Sequence, residues 1–475
     1  MKNTDTIWNF VEARHQPMIA LSDAVWDIPE LNYGEFRSCA LHAEALRREG
    51  FRVAHDVGGL PTAVMGEAGD GGPVIAFLGE YDALPGLSQA AGVAAHQPLA
   101  GDGNGHGCGH NLLGSASLLA ATAVKDWLAA TGTPGRVRYY GCPAEEGGAG
   151  KGFMVRAGVF DDVDVAITWH PSHFATIFPP ASLANLRIDF TFTGRASHAA
   201  AAPFLGRSAL DAAELLNIGV NYLREHMLPS SRIHYAYQDA GGVAPNVVQS
   251  RTVIRYTVRA TELDDMLALA DRVRKIADGA ALMTETTVTS QVISGMANLL
   301  GNPPLEAAMQ ANLERLGPPP FDEADRIFAT SIRATLTKEE IAAAFKAMDL
   351  PVDPDKPLCD TILPWSETRG RSMLGSTDVG DVSWVVPTVQ ALGATCAIGT
   401  PFHSWQLTAQ GKSPLAHKGM VHVAKVMAAT AADVLRDETL LARAKHDHAE
   451  RLKRQPYVSP IPADVQPPLV VEQAA

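Results

Sequence analysis

The sequence predicts an α/β fold in which a larger α/β domain carries a second, smaller one as an insertion. Three observations lead to this prediction. The chain has 475 residues, more than one compact domain usually contains. Short apolar runs alternate with helical patterns over residues 70–170. Between about residues 184 and 292, the predicted order is strand, helix, strand, strand, helix, strand, which is typical of a ferredoxin-like sandwich.

The larger domain is predicted to begin with helix and to continue as alternating strands and helices. Its short apolar runs are typical of buried strands, and its Leu- and Ala-rich segment is typical of a helix. Sites in such sheets gather beyond the carboxyl ends of the strands, so the polar motifs that follow the strands are the first candidates for function. The predicted elements are a helical region at 5–50, a strand at 73–78, a helix at 111–130 and strands at 136–140 and 164–169.

The inserted domain is predicted to span residues 185–298, so that residues 1–184 and 299–475 form the larger domain. After the insertion the chain is Pro-rich, then resumes with a helix at 337–347. The segment from residue 455 onward is Pro-rich again and is predicted to be irregular. Within the insertion the predicted elements are strand 186–193, helix 208–226, strands 232–238 and 252–259, helix 263–280 and strand 285–292.

Composition excludes several classes of function. The net charge is −13, so the chain as a whole is not suited to bind nucleic acid or anionic lipid. Charged residues interrupt residues 1–30 too often for a signal peptide, and the most apolar helical stretch, 115–130, is too short to span a bilayer. Five scattered cysteines do not form a disulfide pattern. We therefore expect a cytoplasmic protein.

The segment Gly105–Asn111 (sequence GHGCGHN) places Cys108 and His110 two residues apart in a glycine-rich turn before the predicted helix. Such a turn can direct a thiolate and an imidazole at one point, where they could bind a divalent metal. From these residues alone, a tight loop with a buried cysteine and an exposed histidine is an equally good interpretation.

Two adjacent glutamates, Glu145 and Glu146, follow the strand at 136–140. In an extended chain, neighbouring side chains point to opposite sides, so one could bind metal while the other faces the substrate. A solvated charge pair is the usual alternative, but four small residues follow this pair. His170 ends the strand at 164–169 and His403 follows an apolar stretch; a lone histidine is more often structural than a ligand.

His198 lies at the end of the first strand of the inserted domain. It is too far along a separate domain to be a metal ligand, but it could donate a hydrogen bond to a developing oxyanion if domains or subunits close. The alternative is a residue at a helix entry, with Ser197 as the cap. Other catalytic motifs are absent from the sequence: there is no Gly-x-Ser-x-Gly near a suitable histidine and aspartate, no His-Glu-x-x-His and no Cys-x-x-Cys.

Taken together and in this order, the motifs resemble those of the M20 metallopeptidase family, specifically its amidohydrolase branch. The resemblance covers nearly the whole chain. No single motif is specific, but the ordered set is. The motifs are IPELN at 28–32, GEYDALPG at 79–86, GCGH at 107–110, PAEEGG at 143–148, GRASH at 194–198, PNVV at 245–248 and GTPFH at 399–403.

The resemblance implies a site with two divalent metal ions, zinc or manganese. It also implies a metallopeptidase-type catalytic domain with an inserted dimerisation domain. Glu145 falls on the position of the general base, and His198 on a histidine that reaches the active site of a neighbouring subunit. The implied metal ligands are Cys108, His110, Glu146, His170 and His403.

In one respect the chain departs from many M20 peptidases, which carry a His-x-Asp pair whose histidine binds metal. Glu80-Tyr81-Asp82 stands in that place, so Cys108 is expected to compensate. Asp82 then becomes a residue that orients a ligand. Asp378 is a candidate for similar support, and Asn246 for contact with substrate.

The implied reaction is hydrolysis of the amide bond of an N-acyl amino acid, such as the aroyl-amino acid p-aminobenzoyl-glutamate. Arg207, Arg251 and Arg259 are possible anchors for the substrate carboxylate, although each could equally be a surface charge. The expected partners are a small-molecule amide substrate and a second copy of the chain, with a related second subunit as an option and no nucleic acid or membrane. A dipeptidase, an aminoacylase or a non-catalytic subunit with the same fold are the alternatives.

Overall fold

The computed structural model describes residues 4–99, 103–178, 182–365 and 375–470. These residues form a seven-stranded sheet, in the order β1-β2-β4-β3-β5-β11-β6, and a four-stranded sheet, in the order β10-β7-β9-β8. The strands are β1 (Arg52–His55), β2 (Val64–Asp70), β3 (Val74–Glu80), β4 (Gly135–Cys142), β5 (Val165–Ser172), β6 (Thr176–Ile177), β7 (Ala184–Thr193), β8 (Arg232–Asp239), β9 (Arg251–Ala260), β10 (Thr287–Met296) and β11 (Thr388–Ala394).

Four parallel strands, β4, β3, β5 and β11, form the middle of the large sheet. Both β3 and β11 are buried along their whole length, as expected of parallel strands covered on both faces. One face of the large sheet packs in a hydrophobic core against three helices, α1 (Thr4–Trp26), α3 (His110–Thr131) and α12 (Pro414–Arg436). Because the strands are parallel, their carboxyl ends lie along one edge of the sheet.

The helices of the large domain begin mostly where the sequence offers a capping residue. Ser404, Ser413 and Asp437 cap α11, α12 and α13 through their side-chain oxygens. The helices are α1 (Thr4–Trp26), α2 (Phe36–Arg48), α3 (His110–Thr131), α4 (Gly150–Arg156), α5 (Ala209–Leu223), α6 (Leu263–Thr284), α7 (Pro303–Leu316), α8 (Glu323–Arg333), α9 (Lys338–Ala347), α10 (Val379–Val385), α11 (Trp405–Gln410), α12 (Pro414–Arg436) and α13 (Glu438–Arg454).

Helices in this structure continue through, or begin at, several prolines. Pro17 lies inside α1, which continues through it to Trp26. Pro303 and Pro304 do not mark a loop but form the first turn of α7, where a missing N–H costs no hydrogen bond. The described residues beyond α13 contain no helix or strand, as predicted for the Pro-rich tail.

The small sheet has the order of elements that the sequence predicted, β7-α5-β8-β9-α6-β10, so this unit is ferredoxin-like. One face of the sheet packs against α5 and α6 in a core of its own. The chain enters this unit at β7 and leaves it after β10, and both the preceding β5 and the later β11 belong to the large sheet. The unit is therefore inserted between two strands of the large domain.

Among the residues that the structure describes, no helix combines the length and the apolar character needed to cross a membrane.

Candidate metal centre

The carboxyl ends of β3, β4 and β5 bring several metal-binding side chains to one edge of the large sheet. Glu80 is the last residue of β3, Glu145 and Glu146 follow β4, and His170 lies near the end of β5. His110 begins α3, directly after Gly109, whose φ of +79° is one that an L-residue rarely adopts. The glycine-rich turn thus places Cys108 and His110 at the same edge, as the sequence suggested.

Cys108, His110 and His170 form a first group of possible ligands, with one donor atom from each within 4.8 Å of the others. Cys108 Sγ lies 3.4 Å from His170 Nε2. His170 Nδ1 lies 2.8 Å from the carbonyl oxygen of Pro171, to which it donates, so Nε2 is free to bind metal. Burial, followed by the charge of His110, lowers the pKa of His170 to about 4, which keeps the imidazole neutral.

Cys108 also belongs to a second group, with Glu146 and His403. His403 Nε2 lies 3.3 Å from Glu146 Oε2, and its side chain is 54% exposed, so this group faces solvent. His403 has a φ of +58°, a strained value for a non-glycine residue that often marks a functional position. Its backbone N–H donates to the carbonyl oxygen of Gly107 at 2.8 Å, which fixes it beside the cysteine.

Glu80, His110 and Glu145 form a third group. His110 Nε2 lies 3.3 Å from Glu80 Oε2 and 4.0 Å from Glu145 Oε2. The structure therefore brings Cys108 and His110 together with the other predicted ligands, and it adds Glu80. The sequence placed Glu80 where many relatives have a histidine, but it contained no sign that the Glu80 carboxylate would reach the cluster.

The donor atoms of this cluster fit a divalent metal. Three buried atoms, Glu80 Oε2, His110 Nε2 and Glu146 Oε1, have no hydrogen-bond partner among the described residues. Buried polar atoms are normally paired, so orphaned atoms that converge need an explanation, and an ion supplies one. A thiolate, imidazoles and carboxylates are the ligands that zinc and similar ions use.

Asp82 orients two members of the cluster and is not itself in any of the three groups. Its Oδ1 accepts from His110 Nδ1 at 2.8 Å, and its Oδ2 accepts from the backbone N–H of Glu146 at 2.8 Å. Burial opposes ionisation of Asp82, but the contact with His110 outweighs it and holds the pKa of Asp82 below its usual value. An ionised Asp82 fixes the tautomer of His110 and turns Nε2 toward the cluster.

The two adjacent glutamates diverge, but not in the way that the sequence suggested. They lie in a turn and not in extended chain, and Ala144 before them has a φ of +60°. Glu145 points to His110 and Glu80, and Glu146 points to Cys108 and His403. Burial is the main cause that raises the pKa of Glu145 well above its usual value, and the nearby carboxylates add to it. Burial is also the main cause that raises the pKa of Glu146 to about 7.

The turn that carries the two glutamates is held from both sides by residues of the segment before α2. Glu35 Oε1 accepts from the N–H of Ala144 at 2.9 Å, and the hydroxyl of Tyr33 donates to the carbonyl oxygen of Gly148 at 2.6 Å. Burial and Asp82 raise the pKa of Glu35 to about 8, so it is largely neutral near pH 7. The sequence did not predict these contacts because more than 100 positions separate the partners.

Lys151 is a further residue that the sequence did not single out. Its Nζ lies 2.5 Å from both Glu80 Oε1 and Asp378 Oδ1, and its N–H donates to Asp378 Oδ2 at 2.9 Å. Burial opposes the charge, but Asp378 and Glu80 raise the pKa of Lys151 well above its usual value. Asp378 thus supports the cluster through Lys151, which compensates part of its negative charge.

His198 and Asn246 lie outside this cluster, on the inserted unit. No candidate metal-binding group among the described residues contains either of them. His198 is exposed, and its Nδ1 accepts from the N–H groups of Ala200 and Ala201 at 3.2 Å, which leaves the ring proton on Nε2. The carbonyl oxygen of Asn246 accepts from Ala199 N–H at 3.0 Å, so both residues belong to one surface.

The three arginines that the sequence offered as anchors differ in their pairing. Arg207 forms an ion pair with Glu285 at 2.9 Å, and Arg251 with Asp239 at 2.8 Å. Arg259 instead donates to Ser376 Oγ at 3.2 Å, and its buried Nε has no hydrogen-bond partner among the described residues. Of the three, Arg259 is therefore the one that forms no ion pair with a carboxylate in the described part of the chain.

Residues 76–360 match the model of peptidase family M20/M25/M40. One subunit of the p-aminobenzoyl-glutamate hydrolase of Escherichia coli (strain K12) is 46% identical over 468 residues, 96% of this chain and 97% of the relative. The chain belongs to the M20 family. It is accordingly an M20-type hydrolase, as the sequence predicted.

A mouse Xaa-Arg dipeptidase is a more distant relative, 31% identical over 92% of this chain and 90% of its own length. Among solved structures, a dinuclear metal binding peptidase of the M20 family from Bacillus subtilis has the same fold. It aligns with a TM-score of 0.59 at 18% identity, over 90% of this chain and 99% of that structure. The α/β fold with an inserted ferredoxin-like unit is thereby confirmed.

Proposed function

We propose that this chain hydrolyses the amide bond of an N-acyl amino acid, and that its substrate is an aroyl-amino acid such as p-aminobenzoyl-glutamate. The observation that carries the proposal is the cluster at the edge of the large sheet, where five predicted ligands converge beside two further glutamates, Glu80 and Glu145. The 46% identity to a component of p-aminobenzoyl-glutamate hydrolase supports the choice of substrate.

Two divalent ions, zinc or manganese, would be held by Cys108, His110, Glu146, His170 and His403. When bound, they supply a lowered pKa for the attacking water and polarisation of the scissile carbonyl. The mixed set of sulfur, nitrogen and oxygen donors is compatible with either metal. Glu80, whose Oε2 also reaches the cluster, adds a carboxylate that Lys151 partly neutralises.

Glu145 would act as the general base. Its carboxylate takes a proton from water as the water oxygen attacks the carbonyl carbon, and it returns that proton to the amine nitrogen as the C–N bond breaks. His198 would donate its Nε2–H to the oxyanion from a neighbouring subunit, since within its own chain it does not join the cluster. Asn246, on the same surface, would contact the substrate.

We propose a homodimer formed through the inserted domain, with boundaries at residues 185–298, the remaining residues forming the catalytic domain. Exposed apolar side chains on that unit, among them Phe204, Tyr222 and Val243, support an interface there. The 46% identical relative is one component of a hydrolase that has more than one kind of subunit, which makes a related second subunit the other option. All five cysteines are free, which supports a cytoplasmic location.

A dipeptidase is the second candidate, because the chain is 31% identical to an Xaa-Arg dipeptidase over most of its length. An aminoacylase and a non-catalytic subunit are further alternatives, although the complete donor set argues against the last. The candidates differ in the group on each side of the scissile bond, so a substrate panel separates them.

The experiment is a comparison of three substrate classes with the purified, metal-loaded chain: p-aminobenzoyl-glutamate, dipeptides that end in arginine, and N-acetyl amino acids. The proposal expects the highest kcat/KM for p-aminobenzoyl-glutamate, followed by release of p-aminobenzoate. A clear preference for the dipeptides would show that the chain is a dipeptidase, the second candidate. Cleavage of none of the three by protein that holds metal would favour the non-catalytic subunit.

A further inference from the structure

The face of the small sheet that is turned away from α5 and α6 carries five arginines. Arg251 is paired with Asp239 and Arg232 is exposed; the other three are Arg187, Arg255 and Arg259. Side chains alternate along a strand, so while Leu186 and Ile188 pack in the core, Arg187 lies on the opposite face of β7. Arg187 is paired in register with Thr257, which places Arg255 and Arg259 of β9 at its two diagonal positions on the same face.

These three arginines differ in how their charges are compensated. Arg255 forms two hydrogen bonds with Asp189, at 2.7 and 2.9 Å, and is therefore neutralised. Arg187 and Arg259 form no ion pair with a carboxylate in the part of the chain that the structure describes. Burial is the main cause that lowers the pKa of both side chains. Arg255 adds to this effect at Arg187 and Arg187 adds to it at Arg259, while Glu145 and Glu146 partly offset it at Arg187.

Arg187 lies against the loop that carries Glu145 and Glu146, and Arg259 lies against the segment that precedes Asp378. Arg187 Nη1 lies 3.4 Å from the carbonyl oxygen of Gly147, which follows Glu146 directly. A Cβ atom on Gly147 would lie 2.9 Å from the same Nη1, so the glycine permits this approach. Arg259 donates to Ser376, two residues before Asp378. Arg187 thus lies beside the turn with the proposed catalytic Glu145, and Arg259 lies near Asp378, which contacts the cluster through Lys151.

Two partly buried guanidinium groups on one sheet, neither of them in an ion pair with a carboxylate among the described residues, are suited to bind two carboxylates. A buried cation without a partner is unfavourable, and a dianionic ligand would compensate both charges at once. Neutral or singly charged amino acids would leave one of the two unpaired. The arrangement therefore selects an amino acid with an acidic side chain in the leaving half of the substrate.

We infer that Arg187 is a specificity-determining residue that binds the side-chain carboxylate of this acidic amino acid, while Arg259 holds the α-carboxylate. This inference rests on the proposed function. Arg259 is fixed by the 3.2 Å hydrogen bond to Ser376, which suits the group common to all N-acyl amino acids. Among the described residues, the one hydrogen-bond contact of the Arg187 side chain is a long one of 3.4 Å, so the side chain can turn to meet acidic side chains of different length.

The test compares Arg187→Gln with the wild type on p-aminobenzoyl-glutamate, p-aminobenzoyl-glutamine and p-aminobenzoyl-alanine. The glutamine compound has nearly the same shape as the first but lacks the second charge. We expect kcat/KM for the glutamate compound to fall about 10- to 100-fold, the range for a lost hydrogen bond to a charged group, while the values for the other two compounds stay within about twofold. The preference for glutamate then disappears.

Arg255→Gln is the matched control, because Arg255 lies on the same face but is already paired with Asp189. It should keep the preference for glutamate. Arg187→Lys, which keeps the charge but not the planar fork, should retain an intermediate preference. Binding of free glutamate and glutamine as product inhibitors gives the same comparison without turnover, so a variant that is slow for other reasons still answers the question.

Three results would overturn the inference. An equal loss for all three substrates in Arg187→Gln would mean that Arg187 binds a group common to them, and an unchanged preference would mean that it binds none. Equal loss of preference in Arg255→Gln would show a general effect of charge. Failure of the proposed function is seen separately: in that case the wild type itself releases no p-aminobenzoate from any of the compounds.

Discussion

The edge of the large sheet and the open face of the small sheet differ in how their charges are held. At the edge of the large sheet, Glu80, Asp82, His110, Lys151 and Asp378 are buried, and hydrogen bonds of 2.5–2.8 Å connect His110 with Asp82 and Lys151 with Glu80 and Asp378. On the small sheet, Arg187 and Arg259 form no ion pair with a carboxylate of any residue that the structure describes, and His198 is exposed. A rigid, closely tied site suits bond cleavage, whereas unpaired charges on a separate unit suit recognition of a ligand that arrives later.

Because the two regions differ in this way, substitutions in each should impair the protein differently. Changes at the large sheet should alter kcat, metal binding or stability for every substrate alike. Changes on the small sheet should alter the preference among substrates, as described for Arg187. At the edge of the large sheet, the expected effects decrease in the order Glu145, Lys151, Asp82 and Glu35.

The largest effect is expected for Glu145→Gln, which removes the proposed base but keeps the size of the side chain. We expect kcat to fall by about 10²- to 10⁴-fold for all substrates, the usual contribution of a general base. Metal content, measured by elemental analysis, should stay unchanged. Glu146→Gln is the contrasting variant at the adjacent position and should lose metal. Near-normal turnover by Glu145→Gln would refute the assignment of the base.

Lys151→Met should destabilise the metal-free protein by about 3–5 kcal/mol, because it leaves the buried carboxylates of Glu80 and Asp378 without their cation. The measurement is urea unfolding after chelation. Lys453→Met is the control, since Lys453 is 70% exposed and pairs with Glu450 at the surface. Its effect should stay within about 0.5 kcal/mol. Equal destabilisation by both variants would contradict the buried ion triad.

Asp82→Asn should weaken metal binding by about 10- to 100-fold, the typical cost of losing a residue that orients a ligand. Asp82 accepts hydrogen bonds from His110 Nδ1 and from the backbone N–H of Glu146. The side-chain amide of the Asp82→Asn variant has only one acceptor oxygen, so its NH₂ group would face one of these two donors. Competition with a chelating dye gives the affinity. Asp23→Asn provides the control, because Asp23 contacts His417 at 2.9 Å in a similar pair away from the cluster. An unchanged metal affinity of Asp82→Asn would contradict the role of Asp82 in orienting a metal ligand.

The smallest effect is expected at Glu35, which acts through the turn before Glu145. Glu35→Leu removes the oxygen that accepts from Ala144 N–H. It should lower kcat about tenfold with little change in KM. This loss is smaller than the roughly hundredfold that a 1 Å misplacement of a catalytic group can cost. Glu35→Gln keeps an acceptor oxygen and should stay close to the wild type, because burial already favours a neutral carboxyl here.

Glu30→Leu is the control for this variant. Glu30 accepts from the N–H of Ser38 at 2.8 Å at the start of α2, so its loss weakens the same segment without touching the catalytic turn. It should lower the unfolding temperature but not kcat. If Glu30→Leu and Glu35→Leu lower kcat equally, Glu35 has only a structural role.

The sequence predicted the fold and much of the cluster because both depend on local patterns. Strand ends, a glycine-rich turn and adjacent glutamates are visible in short segments, and the parallel sheet then brings them together. The contributions of Glu80, Lys151 and Glu35 were not predicted, because they depend on contacts between residues 71 to 227 positions apart. The turn at Glu145 was also missed, since a left-handed Ala144 has no signature in sequence.

The central claim is that the cluster at the edge of the large sheet holds divalent metal and uses it to cleave an N-acyl amino acid. The most direct measurement is release of p-aminobenzoate from p-aminobenzoyl-glutamate by chelated protein, as zinc or manganese is added back in known amounts. We predict no release without metal, and a rate that rises until two ions are bound per chain. Full activity in the absence of metal, or no cleavage by protein that carries two ions, would contradict the claim.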